Sequence, residues 1–119
     1  MTVIPAELNI NIIQGATNDE TWQFVESSDG VTPIDFSGKS AKMQFRRNIN
    51  IDSVELELST VNGKITLGGT LGTLYWIITP SESQNIICNE CVWDLEISDN
   101  TRTDRYAGGK VILKRVVTR

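Results

Sequence analysis

Cys88-Asn89-Glu90-Cys91 is the segment of this chain with the most chemical potential. One Cys-x-x-Cys pair supports dithiol redox work in a βαβ setting, and two such pairs hold zinc. This chain has two cysteines and no histidine, so it cannot complete a four-ligand Cys or Cys–His site by itself. No βαβ pattern surrounds the pair. Cys91 falls in phase with Trp93 and Leu95, which predicts packing as a small hydrophobe in a core. Redox work, an incidental disulfide and an intermolecular metal site are the other readings. The lack of histidine removes Ser–His–Asp and Cys–His nucleophile sets and the commonest general base. No Gly-x-x-x-x-Gly-Lys phosphate loop is present. The chain is expected to be non-enzymatic, with no cofactor and no small-molecule substrate.

Asp94 and Glu96 lie two residues apart on one face of an alternating segment, a spacing that suits acid–base work or a hard cation. The solvent face of any half-exposed sheet shows the same pattern. The segment Asp99-Asn100-Thr101-Arg102-Thr103-Asp104 has the beginnings of a calcium loop, but it lacks the central glycine and the closing glutamate. Both are expected to be solvated surface. Trp22, Trp76, Trp93, Tyr75 and Tyr106 contain enough aromatic area for a sugar-stacking platform. Trp22 and Trp93 alternate with apolar neighbours and are expected in the core. Tyr75 and Trp76 are adjacent, so in a strand they point to opposite faces; these two are the glycan-stacking candidates.

Charge is unevenly distributed. The 119 residues include 11 basic and 15 acidic side chains, a net −4. Residues 102–119 hold Arg102, Arg105, Lys110, Lys114, Arg115 and Arg119 against Asp104 alone, a net +5, which leaves −9 over the first 101. The acidic balance argues against nucleic-acid binding. The basic segment reads either as a surface that docks an acidic partner or a neighbouring copy, or as an edge strand guarded by charge against unwanted pairing. The N-terminus lacks the basic and apolar regions of a signal peptide. No run reaches the roughly 18 apolar residues of a membrane helix, so a protein made in a cytoplasm, with no membrane partner, is expected.

The elements that must position these residues are strands. Leu8, Ile10 and Ile12 alternate with polar residues and end at Gly15. Trp22 and Phe24 share one face of the next segment. Ala41, Met43 and Phe45 share a face across 39–46, and Val54, Leu56 and Leu58 do so across 54–58. Asn62-Gly63 signals a hairpin between Leu58 and Ile65-Thr66-Leu67. Segments 73–79, 91–97 and 102–117 complete the set, with Gly108-Gly109 expected as a bulge or bend. Thr79-Pro80-Ser81-Glu82 is a capping box with proline at the first helical position, predicting one short helix near residues 80–86. Seven to nine short strands separated by Gly and Asn turns predict an all-β fold, a single antiparallel β-sandwich of Ig-like or similar Greek-key type, as one domain over 1–119.

The order of several segments resembles a family of small Ig-like β-sandwich proteins of tailed bacteriophages and prophages, which serve in tail, baseplate or fibre-attachment regions. The resemblance runs from Ile10-Asn11-Ile12-Ile13-Gln14-Gly15-Ala16-Thr17 and Glu20-Thr21-Trp22-Gln23-Phe24 through the turn Pro33-Ile34-Asp35-Phe36-Ser37-Gly38. It continues in Ala41-Lys42-Met43-Gln44-Phe45-Arg46, Leu56-Glu57-Leu58-Ser59-Thr60, Val92-Trp93-Asp94-Leu95-Glu96-Ile97 and Val116-Val117-Thr118-Arg119. Cys88-Asn89-Glu90-Cys91 departs from it, standing where such sequences carry a small Gly-containing turn. The resemblance implies a structural virion component similar to the N-terminal domain of baseplate upper proteins. Its partners would be other virion proteins and further copies of itself. On that reading the assembly contacts are Met1, Thr2, Val3, Ile4 and Pro5 together with the basic C-terminal residues. A capsid cement or decoration protein and a carbohydrate-binding module on the host surface are the alternatives.

Overall fold

The computed structural model describes residues 6–26, 28–48, 50, 54–86 and 90–115. They form two sheets. The strands are β1 (Ala6–Glu7), β2 (Ile10–Ile13), β3 (Asn18–Gln23), β4 (Ser40–Arg46), β5 (Leu56–Ser59), β6 (Ile65–Leu67), β7 (Thr73–Ile78), β8 (Glu90–Ser98) and β9 (Thr103–Lys114), with a 3-10 turn at Gly69–Leu71 and an α-helix, α1 (Pro80–Gln84), between β7 and β8. The larger sheet runs β1-β9-β8-β4-β5, with β2 also on β9; the smaller runs β3-β7-β6. The chain crosses between the layers after β2, β3, β5 and β7, which gives the two-layer Ig-like sandwich expected from the alternation.

The sandwich is not wholly antiparallel. β1 and β2 both pair in parallel with β9, and one register offset runs through Ala6↔Ala107, Glu7↔Gly108 and Ile10↔Val111. They are two halves of one edge strand. β9 therefore lies inside the sheet, between that edge and β8, which removes the reading of the basic segment as a charge-guarded edge.

Alternation delivers the core. Ile10, Ile12, Met43, Phe45, Leu58, Leu74, Trp76, Ile78, Trp93, Leu95, Val111 and Leu113 are buried in one cluster, and strands β7 and β8 alternate buried and half-buried residues along their length. Two aromatic groups tie the layers together. Trp22 of the small sheet sits 5.7 Å from Trp76 of the same sheet and 5.5 Å from Trp93 of the large one. Phe24, Phe36 and Tyr106 form a triangle with centroids 5.8–5.9 Å apart, each pair contributing about 0.5–1.5 kcal/mol beyond area burial.

Three local expectations change. The register shift on β9 falls opposite Leu95/Glu96, where Leu95 pairs Ala107 and Glu96 pairs Arg105. The extra residue is Tyr106, not Gly108-Gly109; the bulge turns both Tyr106 and Ala107 into the core. Asn62-Gly63 does not close a hairpin, because β5 and β6 belong to different sheets. It is a corner at which the chain changes layer. Asn62 Oδ1 accepts the N–H of Ser59 and of Lys64, both at 3.0 Å, while its Nδ2 donates to the Glu57 carbonyl, and Gly63 takes the left-handed φ of 80° that the corner requires. Alternation places Leu8 inside with Ile10 and Ile12, but it is 42% exposed.

The helix is shorter than expected, ending at Gln84. Its capping box forms as read: Glu82 N–H donates to Thr79 Oγ1 and Thr79 N–H to Glu82 Oε1. Burial of the Glu82 carboxyl opposes its ionisation, but the hydrogen bonds from Thr79 and the nearby Lys64 outweigh it and hold its pKa below the ordinary value. The buried Ser83 Oγ accepts the Gly15 N–H at 2.9 Å and donates to the Ala16 carbonyl at 3.0 Å, so the helix anchors the turn that carries the chain from β2 to β3.

Candidate functional site

The basic residues of the C-terminal segment do not form one patch. Residues 102 to 114 span the length of β9, about 40 Å at strand rise, so Arg102 and Lys114 lie at opposite ends of a molecule 44 Å long. Several are engaged locally. Arg102 pairs with Asp104 at 2.9 Å and Lys110 with Glu90 at 3.5 Å. Arg115 Nη1 donates to Gln14 Oε1 at 3.2 Å. Lys114 is exposed on the strand opposite Ile13. Met1, Thr2, Val3, Ile4, Pro5 and Arg119 lie outside the described residues, as does Cys88.

Arg105 has a different setting. Gly108 leaves a gap on the outer face of β9 between Arg105 and Lys110, and the Arg105 guanidinium lies against it. The result is an open hollow of about 530 Å³ on the outer face of the large sheet, lined by Arg46, Arg105, Glu7, Asp94, Glu96 and Gln44 among others. The two carboxylates singled out by spacing, Asp94 and Glu96, thus face arginines across a sheet surface. Glu7 and Arg46 are joined to them by the topology alone.

The acidic loop is occupied by its own turn. Asp99 Oδ1 accepts the backbone N–H of Thr101 at 2.8 Å and of Arg102 at 2.9 Å. The Thr101 backbone and side-chain bonds lower the Asp99 pKa below the ordinary range. Asp29 shows the same chemistry more strongly. A hydrogen bond from the Thr32 hydroxyl, with the N–H groups of Val31 and Thr32, brings its pKa down to about 2.

The aromatic pair also separates. Trp76 is 1% exposed and offers no face to a sugar, which corrects its place among the stacking candidates. Tyr75 is half-buried and its hydroxyl donates to Asp19 Oδ2 at 2.9 Å; that bond raises the tyrosine pKa. Cys91 is buried in the core as its phase predicts, and it is disulfide-bonded.

A second concavity lies where β2 and β3, edges of the two sheets, run past each other. It is a crevice of about 280 Å³ lined by Asn9, Asn11, Thr17, Asn18, Asp19, Glu20 and Trp76. At one end the Asn18 amide closes the β2 edge, accepting the Ile13 N–H and donating to the Ile13 carbonyl, both at 2.9 Å. Trp76 Nε1 is buried and finds no hydrogen-bond partner among the described residues. Alternation in the sequence predicts a strand over 20–25 with Trp22 and Phe24 on one face; its place at a sheet edge has no local signal.

No protein-family model matches the chain, and no curated protein matches it by sequence. Among solved structures, the N-terminal domain of phage TP901-1 ORF48 matches with a TM-score of 0.56 and 14% sequence identity, covering 96% of this chain and 99% of that one. The two share their fold from end to end.

Proposed function

We propose that this protein is a non-enzymatic structural component of a phage virion, an assembly or adaptor module of the tail, baseplate or fibre-attachment region. The observation that carries this reading is the match in fold, over 96% of this chain and 99% of the other, to a domain of a phage protein. The order of motifs along the sequence supports it independently. So does the distribution of polar groups, which lie on strand faces, edges and turns and not in an enclosed cleft. Binding in such a module comes from sheet edges and side-chain patches, repeated by particle symmetry so that modest contacts add.

Purified particles separated into heads and tails test the assignment, with this protein quantified in each fraction by mass spectrometry. Recovery with tails at a fixed ratio to another tail protein is the expected result. Recovery with heads alone would transfer the protein to the decoration reading, and absence from particles would overturn the virion role.

A further inference from the structure

We propose that the outward edge of β3 is a strand-addition site for an extended, Lys/Arg-bearing segment of another polypeptide. The inference deepens the assembly reading and rests on it for the origin of the partner; the site itself is testable without particles.

The argument begins with the ladder. Among the described residues β3 pairs with β7 alone, in the register Asn18↔Ile78 through Gln23↔Thr73. Phe24 N–H continues that ladder to the Gly72 carbonyl at 2.8 Å. Hydrogen-bonded pairs alternate in an antiparallel ladder, so Trp22, Glu20 and Asn18 bond inward to β7. Asp19, Thr21 and Gln23 therefore turn their N–H and C=O groups outward, and no described backbone group or side chain meets them. The other edges are shorter or closed. β5 has its outward Glu57 carbonyl and Ser59 N–H taken by Asn62, β6 is three residues long, and β2 is closed at Ile13 by Asn18. β3 is six residues long, with no proline, lysine, arginine or bulge; the only charges on this edge that limit its pairing are the carboxylates of Asp19 and Glu20.

Charge selects the occupant. Asp19 and Glu20 stand on opposite faces of this one edge and form no ion pair among the described residues. Glu20 points to the crevice side yet remains exposed. An inward-facing carboxylate repels an apolar or acidic strand and attracts a basic one. The uncharged side chains of residues 1–5 have no such complement.

The test is a titration of the intact protein with a synthetic peptide, Lys-Val-Thr-Val-Lys-Thr-Arg, followed by amide NMR. The expected result is shifts centred on Asp19, Thr21 and Gln23, with affinity falling at least about tenfold between roughly 0.05 and 0.5 M salt. Glu20→Lys and Thr21→Pro each abolish the shifts; proline at 21 removes an N–H that bonds to nothing inside the sheet, and Glu20→Lys decides alone if that variant fails to fold. Equal binding of a peptide with Glu in place of Lys and Arg would overturn the proposal. So would shifts confined to another surface, or Asp19, Thr21 and Gln23 amides already protected from exchange in the peptide-free protein, which would mean that the chain covers the edge itself. A protein that binds the peptide at β3 but is absent from particles would retain the site and lose the virion assignment.

Discussion

The indole Nε1–H of Trp93 donates to the carbonyl of Leu8 at 2.9 Å, across the strand that separates them. In a regular parallel ladder that carbonyl would accept the N–H of Lys110, just as Gly108 accepts from Leu8 and Lys114 from Gln14. Trp93 takes it out of the ladder, and Asn9 Oδ1 accepts the Lys110 N–H in its place at 3.2 Å. The break between β1 and β2 and the exposure of Leu8 follow from this exchange. So does the glycine opposite Trp93: a Cβ on Gly109 would lie 2.2 Å from the Leu8 oxygen.

Trp93→Phe keeps most of the ring and removes the donor, leaving the Leu8 carbonyl unpaired. Urea denaturation is expected to show a loss of about 1–3 kcal/mol, with faster hydrogen exchange along residues 8–13. Gly109→Ala meets backbone that cannot rotate away and is expected to cost about 1–3 kcal/mol with the same loss of edge protection. An unchanged edge in both variants would contradict the exchange described above.

Phe36 is 1% exposed and forms two sides of the aromatic triangle with Phe24 and Tyr106. Phe36→Ala is expected to destabilise the fold by about 3–5 kcal/mol, the largest single loss proposed for this molecule. Calorimetric melting measures it, and a shift equivalent to less than about 1 kcal/mol would show that the triangle collapses without cost.

Asn62→Ala removes three backbone bonds at the corner between layers while leaving the apolar core intact. A loss of about 1–2 kcal/mol is expected, with accelerated amide exchange at Ser59 and Lys64. Asn62→Asp retains the acceptor to Ser59 and Lys64 and is expected to recover part of that stability.

Below neutral pH the depressed carboxyls set the acid limb of stability. Asp29 has a folded pKa of about 2 against an ordinary 3.8, and Asp35 and Asp99 are lowered in the same direction by bonds within their own turns. A lowered folded pKa favours the ionised folded state, so this stabilisation is fully present above the ordinary carboxyl pKa. It is lost as pH falls toward about 2. The melting temperature is expected to drop across that window and to drop less steeply in Asp29→Asn. Equal slopes in the two proteins would remove Asp29 from the effect.

The fold class was legible in the sequence, because period-2 alternation through Ile10/Ile12, Met43/Phe45 and Trp93/Leu95 permits burial of only one face of each strand. The capping box at Thr79–Glu82 was legible for the same reason: both partners lie within one turn, and short-range geometry is written in spacing. What lay across the sheets was not. Asn62-Gly63 has the same residues whether it closes a hairpin or turns a corner, and only the pairing of β5 with β4 and of β6 with β7 separates the two. The basic residues cluster in sequence yet spread along the molecule, because an extended strand carries neighbours apart by about 3.3 Å per residue. The bulge at Tyr106, the Trp93–Leu8 bond and the unpaired edge of β3 each depend on which strand lies beside which. That adjacency is decided by long-range packing, and tertiary structure alone supplies it.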